Sequence, residues 1–149
     1  MSINTSCFVH TSPKSGGGAC TFIVTGGENG TSHVWKVSCG GDKWEVTKVK
    51  EFQHHKGPIK SITSHPTHPW ICSGGEDGVC RIVDMASLSL LETVSCTSDG
   101  VGSSGKAPMC RACAFSNDGK HLLTVQSGRI GDAHIVMWDI AVEERSVVA

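Results

Sequence analysis

The amino-acid sequence predicts an all-β fold made of three repeated units. The first observation is a recurring phrase: an apolar strand, a glycine-acid turn, and a second strand ending at or near Trp-Asp. Its copies lie at 23–37, 71–85 and 122–140. The second observation is the composition, which combines 18 glycines with many Val, Ile and Thr residues and contains no Ala-rich or Glu/Lys-rich helical stretch. A repeat of this length constrains the architecture before any single residue is considered.

The spacing of the copies sets the length of each unit. Thr25 aligns with Ser73 at an offset of 48 residues, and Ser73 aligns with Thr124 at an offset of 51. Both offsets exceed the ~40–45 residues usual for four-stranded repeats, so long loops are expected. The sequence therefore predicts a first unit at 1–53, a second at 54–96, a flexible loop at 97–108 and a third unit at 109–149.

Each unit is expected to contain four short strands separated by glycine-rich turns. In the first unit these are Ser6–His10, Cys20–Thr25, Ser32–Val37 and Trp44–Phe52. In the second they are Pro58–Ser64, Trp70–Ser73, Val79–Asp84 and Ser89–Ser95. In the third they are Met109–Phe115, His121–Gln126, Ala133–Asp139 and Arg145–Val148. Two polar, glycine-rich stretches are expected as surface loops, Ser12–Gly18 and Thr97–Gly105.

Charge and hydropathy argue against several functional classes. The net charge of −1, without a basic cluster, argues against a nucleic-acid partner. No apolar run approaches the ~20 residues of a membrane span. The polar segment Met1–Cys7 is unlike a signal peptide, so the eight cysteines are expected to be reduced thiols in the cytoplasm.

The cysteine pattern predicts neither a metal site nor a cofactor. Cys110 and Cys113 have C-x-x-C spacing but lie in a predicted strand, where side chains three positions apart point to opposite faces. The remaining cysteines are isolated in the sequence: Cys7, Cys20, Cys39, Cys72, Cys80 and Cys96. The cysteines are therefore expected to be small buried hydrophobic residues.

The recurring phrase resembles the WD-repeat family, whose members fold as β-propellers and usually act as docking platforms. The resemblance implies three four-stranded WD-repeat blades forming a partial β-propeller, either a segment of a larger ring or a half-ring closed by a second copy. The segment is favoured, because closure from identical halves demands compatible curvature. In this family a Trp, a Ser/Thr, a His and an Asp form a buried hydrogen-bond chain. The matching residues here are Thr25, Trp35, His55, Ser73, Asp77, Thr124, Trp138 and Asp139.

No unit has the complete set. Val83 stands at the Trp position of the second unit, Asn29 at the Asp position of the first, and Lys106 at the His position of the third. As residue types, His55, Ser73 and Asp77 also suit a hydrolase triad. The scaffold role is favoured because all three fall on family positions and no nucleophile elbow is present.

A narrower resemblance is to the guanine-nucleotide exchange factors of the ER membrane that start COPII coat assembly. It is carried by Trp35-Lys36-Val37, Ala112-Cys113-x-Phe115 and Leu123-Thr124-Val125-Gln126, with a late Trp138-Asp139. It implies a small GTPase as partner and a place at the cytosolic face of the ER. The glycine-rich loop on which exchange depends in that branch has only a faint counterpart in Gly16-Gly17-Gly18.

The sequence thus predicts a non-catalytic protein-interaction scaffold, with an exchange-factor segment as the alternative. A third hypothesis is a metal-dependent enzyme that uses His and Cys residues. Partner-binding candidates are Trp70 and His68, together with Arg129 and Asp132 in the long turn of the third unit. His68 lies in a proline-locked turn expected at the surface. The ring of Trp70 is either exposed at one rim or, as the favoured interpretation, packed between blades. Expected partners are other proteins, further propeller blades or a second copy.

Overall fold

The computed structural model describes residues 2–11, 20–96, 108–127 and 133–140. These residues form eleven strands and no helix, which confirms the predicted all-β fold. The strands are β1 (Ile3–Thr11), β2 (Cys20–Gly27), β3 (Thr31–Gly40), β4 (Lys43–Gln53), β5 (Ile59–Ser64), β6 (Trp70–Gly75), β7 (Val79–Asp84), β8 (Ser89–Ser95), β9 (Met109–Phe115), β10 (His121–Ser127) and β11 (Ala133–Asp139).

The predicted strand limits agree best in the second and third units. Strands β7, β8, β9 and β11 begin and end where the sequence predicts. The first unit differs more, because β3 and β4 continue pairing to Gly40 opposite Lys43, where Gly41 turns the chain at a φ of 66°. The expected strand Arg145–Val148 and the two expected loops lie outside the described residues.

The strands form three antiparallel sheets in which neighbours in sequence are neighbours in space. The orders are β1-β2-β3-β4, β5-β6-β7-β8 and β9-β10-β11. The sheets correspond to WD-repeat blades of a partial propeller, and they are called the first, second and third blade below. None of the described segments forms an apolar helix long enough to cross a lipid bilayer.

Two apolar clusters join neighbouring blades. The first interface, between the first and second blades, contains Val9, Val24, Val34, Ile59, Ile62, Ile71, Val83 and Met85. The second interface, between the second and third blades, contains Trp70, Cys72, Cys80, Ile82, Cys96, Cys110, Cys113 and Leu122. Every one of these side chains is buried, so the core consists of the two interfaces between sheets.

Each blade has an irregularity in its first strand that changes the direction of the side chains. The register shifts between Ile59 and Ser61 in β5, and β9 shows the same shift opposite Val125 and Gln126. A bulge adds one residue to the strand and so breaks the regular alternation of faces. Cys110 and Cys113 are therefore both buried, and the prediction that they point to opposite faces is wrong.

One hydrogen bond between blades occurs twice at equivalent places. The backbone N–H of Ile62 donates to Thr5 Oγ1 over 3.2 Å. The N–H of Cys113 donates to Ser61 Oγ over 3.2 Å. Thr5 and Ser61 pair with Gly26 and Gly74 at the same register position of their blades. Because β5 and β9 are edge strands, alternate N–H groups have no partner within the sheet, and a hydroxyl of the preceding blade satisfies one of them in each case.

Candidate protein-interaction site

A buried hydrogen-bond chain crosses the second blade. His55, between β4 and β5, has its Nδ1 2.9 Å from Asp77 Oδ1 in the β6–β7 turn and its Nε2 2.8 Å from Ser73 Oγ on β6. Because a carboxylate only accepts, His55 donates from Nδ1 and Ser73 donates its hydroxyl proton to Nε2. Arg81 Nη1 donates to Asp77 Oδ2 over 3.3 Å, and the N–H of Lys56 donates to the same oxygen over 3.0 Å.

This hydrogen-bond chain favours a neutral imidazole on His55 beside an ionised carboxylate on Asp77. Burial lowers the pKa of His55, and the attraction of Asp77 only partly opposes that effect. Burial alone would raise the pKa of Asp77, but hydrogen bonds from His55 and from the N–H groups of Lys56 and Val79 outweigh it and lower the pKa. The Asp77 carboxylate therefore stays ionised and holds the turn and the preceding segment together.

The distances between His55, Ser73 and Asp77 would suit a hydrolase triad, but a substrate could not reach the serine hydroxyl. Ser73 is 0% exposed and His55 is 3% exposed. A nucleophile must reach a substrate carbonyl beside an oxyanion hole, and a fully buried hydroxyl in the middle of a sheet cannot do so. The arrangement can position strands, but it offers no site for acyl transfer.

Tryptophan takes part in the equivalent chains of the other two blades. Trp35 Nε1 donates to Thr25 Oγ1 over 3.0 Å, and Trp138 Nε1 donates to Thr124 Oγ1 over 3.0 Å. Asn29, at the Asp position of the first blade, accepts the N–H of Thr31 over 3.2 Å. A buried indole N–H needs an acceptor, and the hydroxyl on the neighbouring strand provides one in each case.

In the second blade, where Val83 replaces the tryptophan, His54 takes its place as donor. His54 Nε2 lies 3.2 Å from Ser73 Oγ, whose proton is already directed to His55. Burial, followed by repulsion from His55 and Arg81, lowers the pKa of His54 to about 4. Sequence analysis missed this residue, although two adjacent histidines next to a blade without its tryptophan were an available signal.

Asp139 lies apart from these buried chains. Its carboxylate is 93% exposed, and its Oδ1 lies 3.2 Å from His121 Nε2. The residue after Trp138 is therefore part of a surface contact between β10 and β11.

The structure places the predicted partner-binding residues differently from the sequence expectation. Trp70 is only 5% exposed, so its ring packs between blades and is not the exposed binding residue that was the alternative. Its ring packs against His68 at a centroid distance of 4.6 Å and His65 at 5.1 Å. His68 is half-buried, and His65 is buried because its Nε2 donates to the carbonyl of Gly119 in the third blade over 2.9 Å. The turn lies at the surface through the exposed Pro66 and Thr67, whereas its first residue, His65, belongs to the second interface. Arg129 and Asp132 lie outside the described residues.

The exposed tryptophan is Trp44 on β4, which is 72% exposed. It lies on the outer strand of the first blade with Val46 and Val49, which are 56% and 49% exposed. Large apolar side chains on an outer strand are available to a partner, although scattered ones are common on protein surfaces.

A more continuous apolar surface lies on the third blade and is called the open face below. It consists of Leu123, Val125, Ile135 and Met137, which pair across β10 and β11 on the same side of the sheet. Leu123 is 36% exposed, Ile135 72% and Met137 63%. The register makes these residues equivalent to Cys72, Gly74, Cys80 and Ile82 of the second blade, all of which the third blade covers. Among the described residues, no fourth sheet covers the open face.

Comparisons with known proteins agree with this architecture. Residues 46–84 and 101–139, together more than half of the chain, match the family described as WD domain, G-beta repeat. An F-box/WD-40 repeat-containing protein of Arabidopsis thaliana is 28% identical over 108 residues, which cover 72% of this chain and 19% of that protein. A guanine nucleotide-binding protein subunit beta of Oryza sativa subsp. indica is 26% identical over 122 residues, which cover 82% of this chain and 29% of that protein.

These relatives define the family and no finer activity. The chain spans less than a third of the length of each of them. Neither is named as an exchange factor, so the narrower resemblance to the ER exchange factors gains no support from them. The family match, the recurring turns and the three meander sheets lead to one conclusion: this chain belongs to the WD-repeat family.

Proposed function

We propose that this chain is a non-catalytic protein-interaction scaffold that binds a partner through the open face of its third blade. The observation that carries the proposal is the exposure of Ile135 and Met137 at positions that are covered in the second blade. An exposed apolar sheet face of this kind is a docking surface or an aggregation hazard. The named relatives fit such a role, since one is a subunit of a larger assembly. The reduced thiols of the second interface suit the cytoplasm.

The occupant we propose is a second copy of this chain. The first blade carries a complementary surface, because Ile3 and Phe8 occupy the register positions that Ile59 and Ser64 have in the second blade. Ile3 is 52% exposed and Phe8 is 62% exposed, whereas Ile59 is 0% exposed beneath the first blade. Two copies placed first blade against third blade would form two such contacts and a ring of six blades, within the ~4–8 blades of known propellers.

One side chain makes this contact looser than the internal interfaces. Gly26 lies against Ile59, whose Cγ2 would be 2.6 Å from a Cβ built at that glycine. Val125 is the residue of the third blade at the position of Gly26 and Gly74. Its side chain occupies the space that Ile3 of a second copy would need, so the two blades would pack further apart. Reversible rather than permanent association is expected.

Sedimentation equilibrium over a range of concentrations tests the proposal. We expect the 15.7 kDa chain to form a dimer, and the double variant Ile135→Lys/Met137→Lys to weaken dimerisation at least about 100-fold by burying two charges. Val46→Lys/Val49→Lys, on the exposed strand β4, is the matched control and should associate like the unchanged chain. Val125→Gly should strengthen dimerisation by making room for Ile3.

Two results would overturn this assignment. A single-chain mass at all concentrations would exclude a second copy as the occupant. If Ile135→Lys/Met137→Lys and Val46→Lys/Val49→Lys weakened dimerisation equally, association would not use the open face specifically. A single-chain mass combined with capture of a different purified WD-repeat protein, lost in Ile135→Lys/Met137→Lys, would assign the open face to that other occupant.

A further inference from the structure

Three cysteines that are far apart in the sequence converge at the second interface. Cys80 lies on β7, Cys96 follows β8, and Cys110 lies on β9 of the neighbouring blade. Their Sγ atoms all lie within 4.8 Å of one another, and Cys80 Sγ is 3.2 Å from Cys110 Sγ. The side chains are buried, with exposures of 0%, 7% and 0%. Cys80 and Cys96 are isolated in the sequence, but the packing of the two blades brings them together with Cys110.

The equivalent positions of the first interface contain no sulfur. The register aligns Cys80 with Ser32 and Cys110 with Ile59, while His54 follows β4 as Cys96 follows β8. The backbone thus repeats, but the three positions hold three different residue types in the first interface and cysteine each time in the second. Gly74 leaves the space for one sulfur, because a Cβ at Gly74 would lie 2.5 Å from Cys110 Sγ. Packing alone requires only apolar residues of suitable size, as Ile59 shows.

The spacing and chemistry of the three sulfurs suit a soft metal ion. With zinc–sulfur bonds of ~2.3 Å, tetrahedral thiolates lie about 3.8 Å apart, close to the separation within this cluster. Thiolates select zinc and monovalent copper over hard cations. The apolar neighbours Trp70, Ile82 and Leu122 exclude water.

We propose that Cys80, Cys96 and Cys110 bind one thiophilic metal ion, Zn²⁺ or Cu⁺, that clamps the second blade to the third. Each metal–sulfur bond forms as one thiol S–H bond breaks and its proton is released to solvent, with no change of oxidation state. Three thiolates complete a trigonal Cu⁺ site. A tetrahedral Zn²⁺ site needs a fourth ligand, and the fully buried Cys72, whose thiol interacts with Cys80 and Cys113, is the nearest candidate.

Metal loading of the purified 149-residue chain under anaerobic, reducing conditions tests this site. Zn²⁺ and Cu⁺ are added separately, and the metal retained after desalting is measured by elemental analysis. We expect one ion per chain for the ion that the site prefers, a higher Tm in its presence, and protection of Cys80, Cys96 and Cys110 from alkylation mapped by mass spectrometry. Retention of Cu⁺ but not Zn²⁺ identifies the three-thiolate form, and the converse identifies the four-ligand form.

Variants separate binding at this cluster from binding elsewhere. Cys96→Ser should weaken metal affinity at least about 100-fold, since even residues that only orient a ligand affect affinity by ~10–100-fold. Cys39→Ser is the matched control, because Cys39 is exposed on β3 and donates to the Gly41 carbonyl. If Cys96→Ser does not fold, the alkylation pattern of the unchanged chain decides. Less than stoichiometric metal, loss of binding in Cys39→Ser, or a Cys80–Cys110 disulfide in the freshly reduced protein would overturn the site.

Discussion

The two interfaces between blades use the same backbone design and fill it with different chemistry. Both have a hydroxyl that accepts the N–H of the next blade, from Thr5 in one and Ser61 in the other. Both have a glycine against which the next blade packs, Gly26 and Gly74. The first interface then places aliphatic residues and a histidine network around this frame, whereas the second places thiols. The comparison teaches that the same docking geometry accommodates side chains of different chemistry at the two interfaces.

Removing the shared glycine space should have the largest effect. A Cβ at Gly26 would lie 2.6 Å from Ile59 Cγ2, and a Cβ at Gly74 would lie 2.5 Å from Cys110 Sγ. We expect Gly26→Ala and Gly74→Ala each to lower the free energy of unfolding by about 2–3 kcal/mol, as overpacked cores do. Urea denaturation followed by tryptophan fluorescence measures the change.

Gly40→Ala is the control for this pair, because a Cβ at Gly40 would have no atom within 4 Å. A second change, Ile59→Leu in the Gly26→Ala background, should recover part of the loss, because leucine lacks the Cγ2 methyl branch that the new Cβ would meet. If Gly26→Ala and Gly74→Ala were as stable as Gly40→Ala, the shared docking frame would be refuted.

The histidines of the first interface should make that interface sensitive to acid. The folded pKa of His54, about 4, lies below its ordinary value of 6.5. A depressed histidine pKa means that the unfolded chain binds a proton first, so stability is complete above pH 6.5 and falls as the pH decreases toward 4. We expect His54→Gln to remove about 2 kcal/mol of this loss, since the substitution removes the titrating group and an amide can still donate to Ser73.

The measurement is the free energy of unfolding at several pH values for the unchanged chain and the variant. The difference between the two profiles isolates His54 from Asp77, Cys96 and the other groups that titrate. Parallel profiles between pH 7 and 4 would contradict a buried neutral His54.

The smallest effect is expected when Ser32 of the first interface is replaced by the residue type found at the equivalent position of the second interface. Ser32 Oγ is buried and has no hydrogen-bond partner among the described residues, whereas Cys80 holds the equivalent position with a thiol. An unsatisfied buried hydroxyl is costly, and a thiol demands less hydrogen bonding. We expect Ser32→Cys to raise the free energy of unfolding by about 1 kcal/mol. Thermal unfolding under reducing conditions checks this, and a destabilised variant would mean that Ser32 has a partner after all.

The sequence predicted features that depend on local pattern. The turns Gly-Glu-Asn-Gly and Gly-Glu-Asp-Gly define hairpins whatever the rest of the chain does, so both hairpins form and β7 begins at Val79 as expected. The bulge in β9 could not be predicted from local pattern, because the alternation of side-chain faces assumes a strand without an inserted residue. As a result, Cys110 and Cys113 were expected on opposite faces although both are buried.

Contacts between blades were the second kind of feature that the sequence did not disclose. The proline turn before Trp70 left open whether its ring is exposed or packed between blades, and in the structure the neighbouring blade and two histidine rings cover it. The convergence of Cys80, Cys96 and Cys110 requires three strands from two sheets to meet. Neither can be derived from spacing along one strand, because both depend on how the sheets pack.

The central claim is that the open face of the third blade binds the first blade of a second copy, and cross-linking at Met137 tests it most directly. A photoreactive benzophenone amino acid replaces Met137, and the purified chain is irradiated at a concentration at which it associates. We expect a covalent product of twice 15.7 kDa, with the cross-link mapped to Ile3–Thr11 of the other copy. Irradiated protein that remains a single chain, or a cross-link mapped to β4 or β8, would contradict the claim.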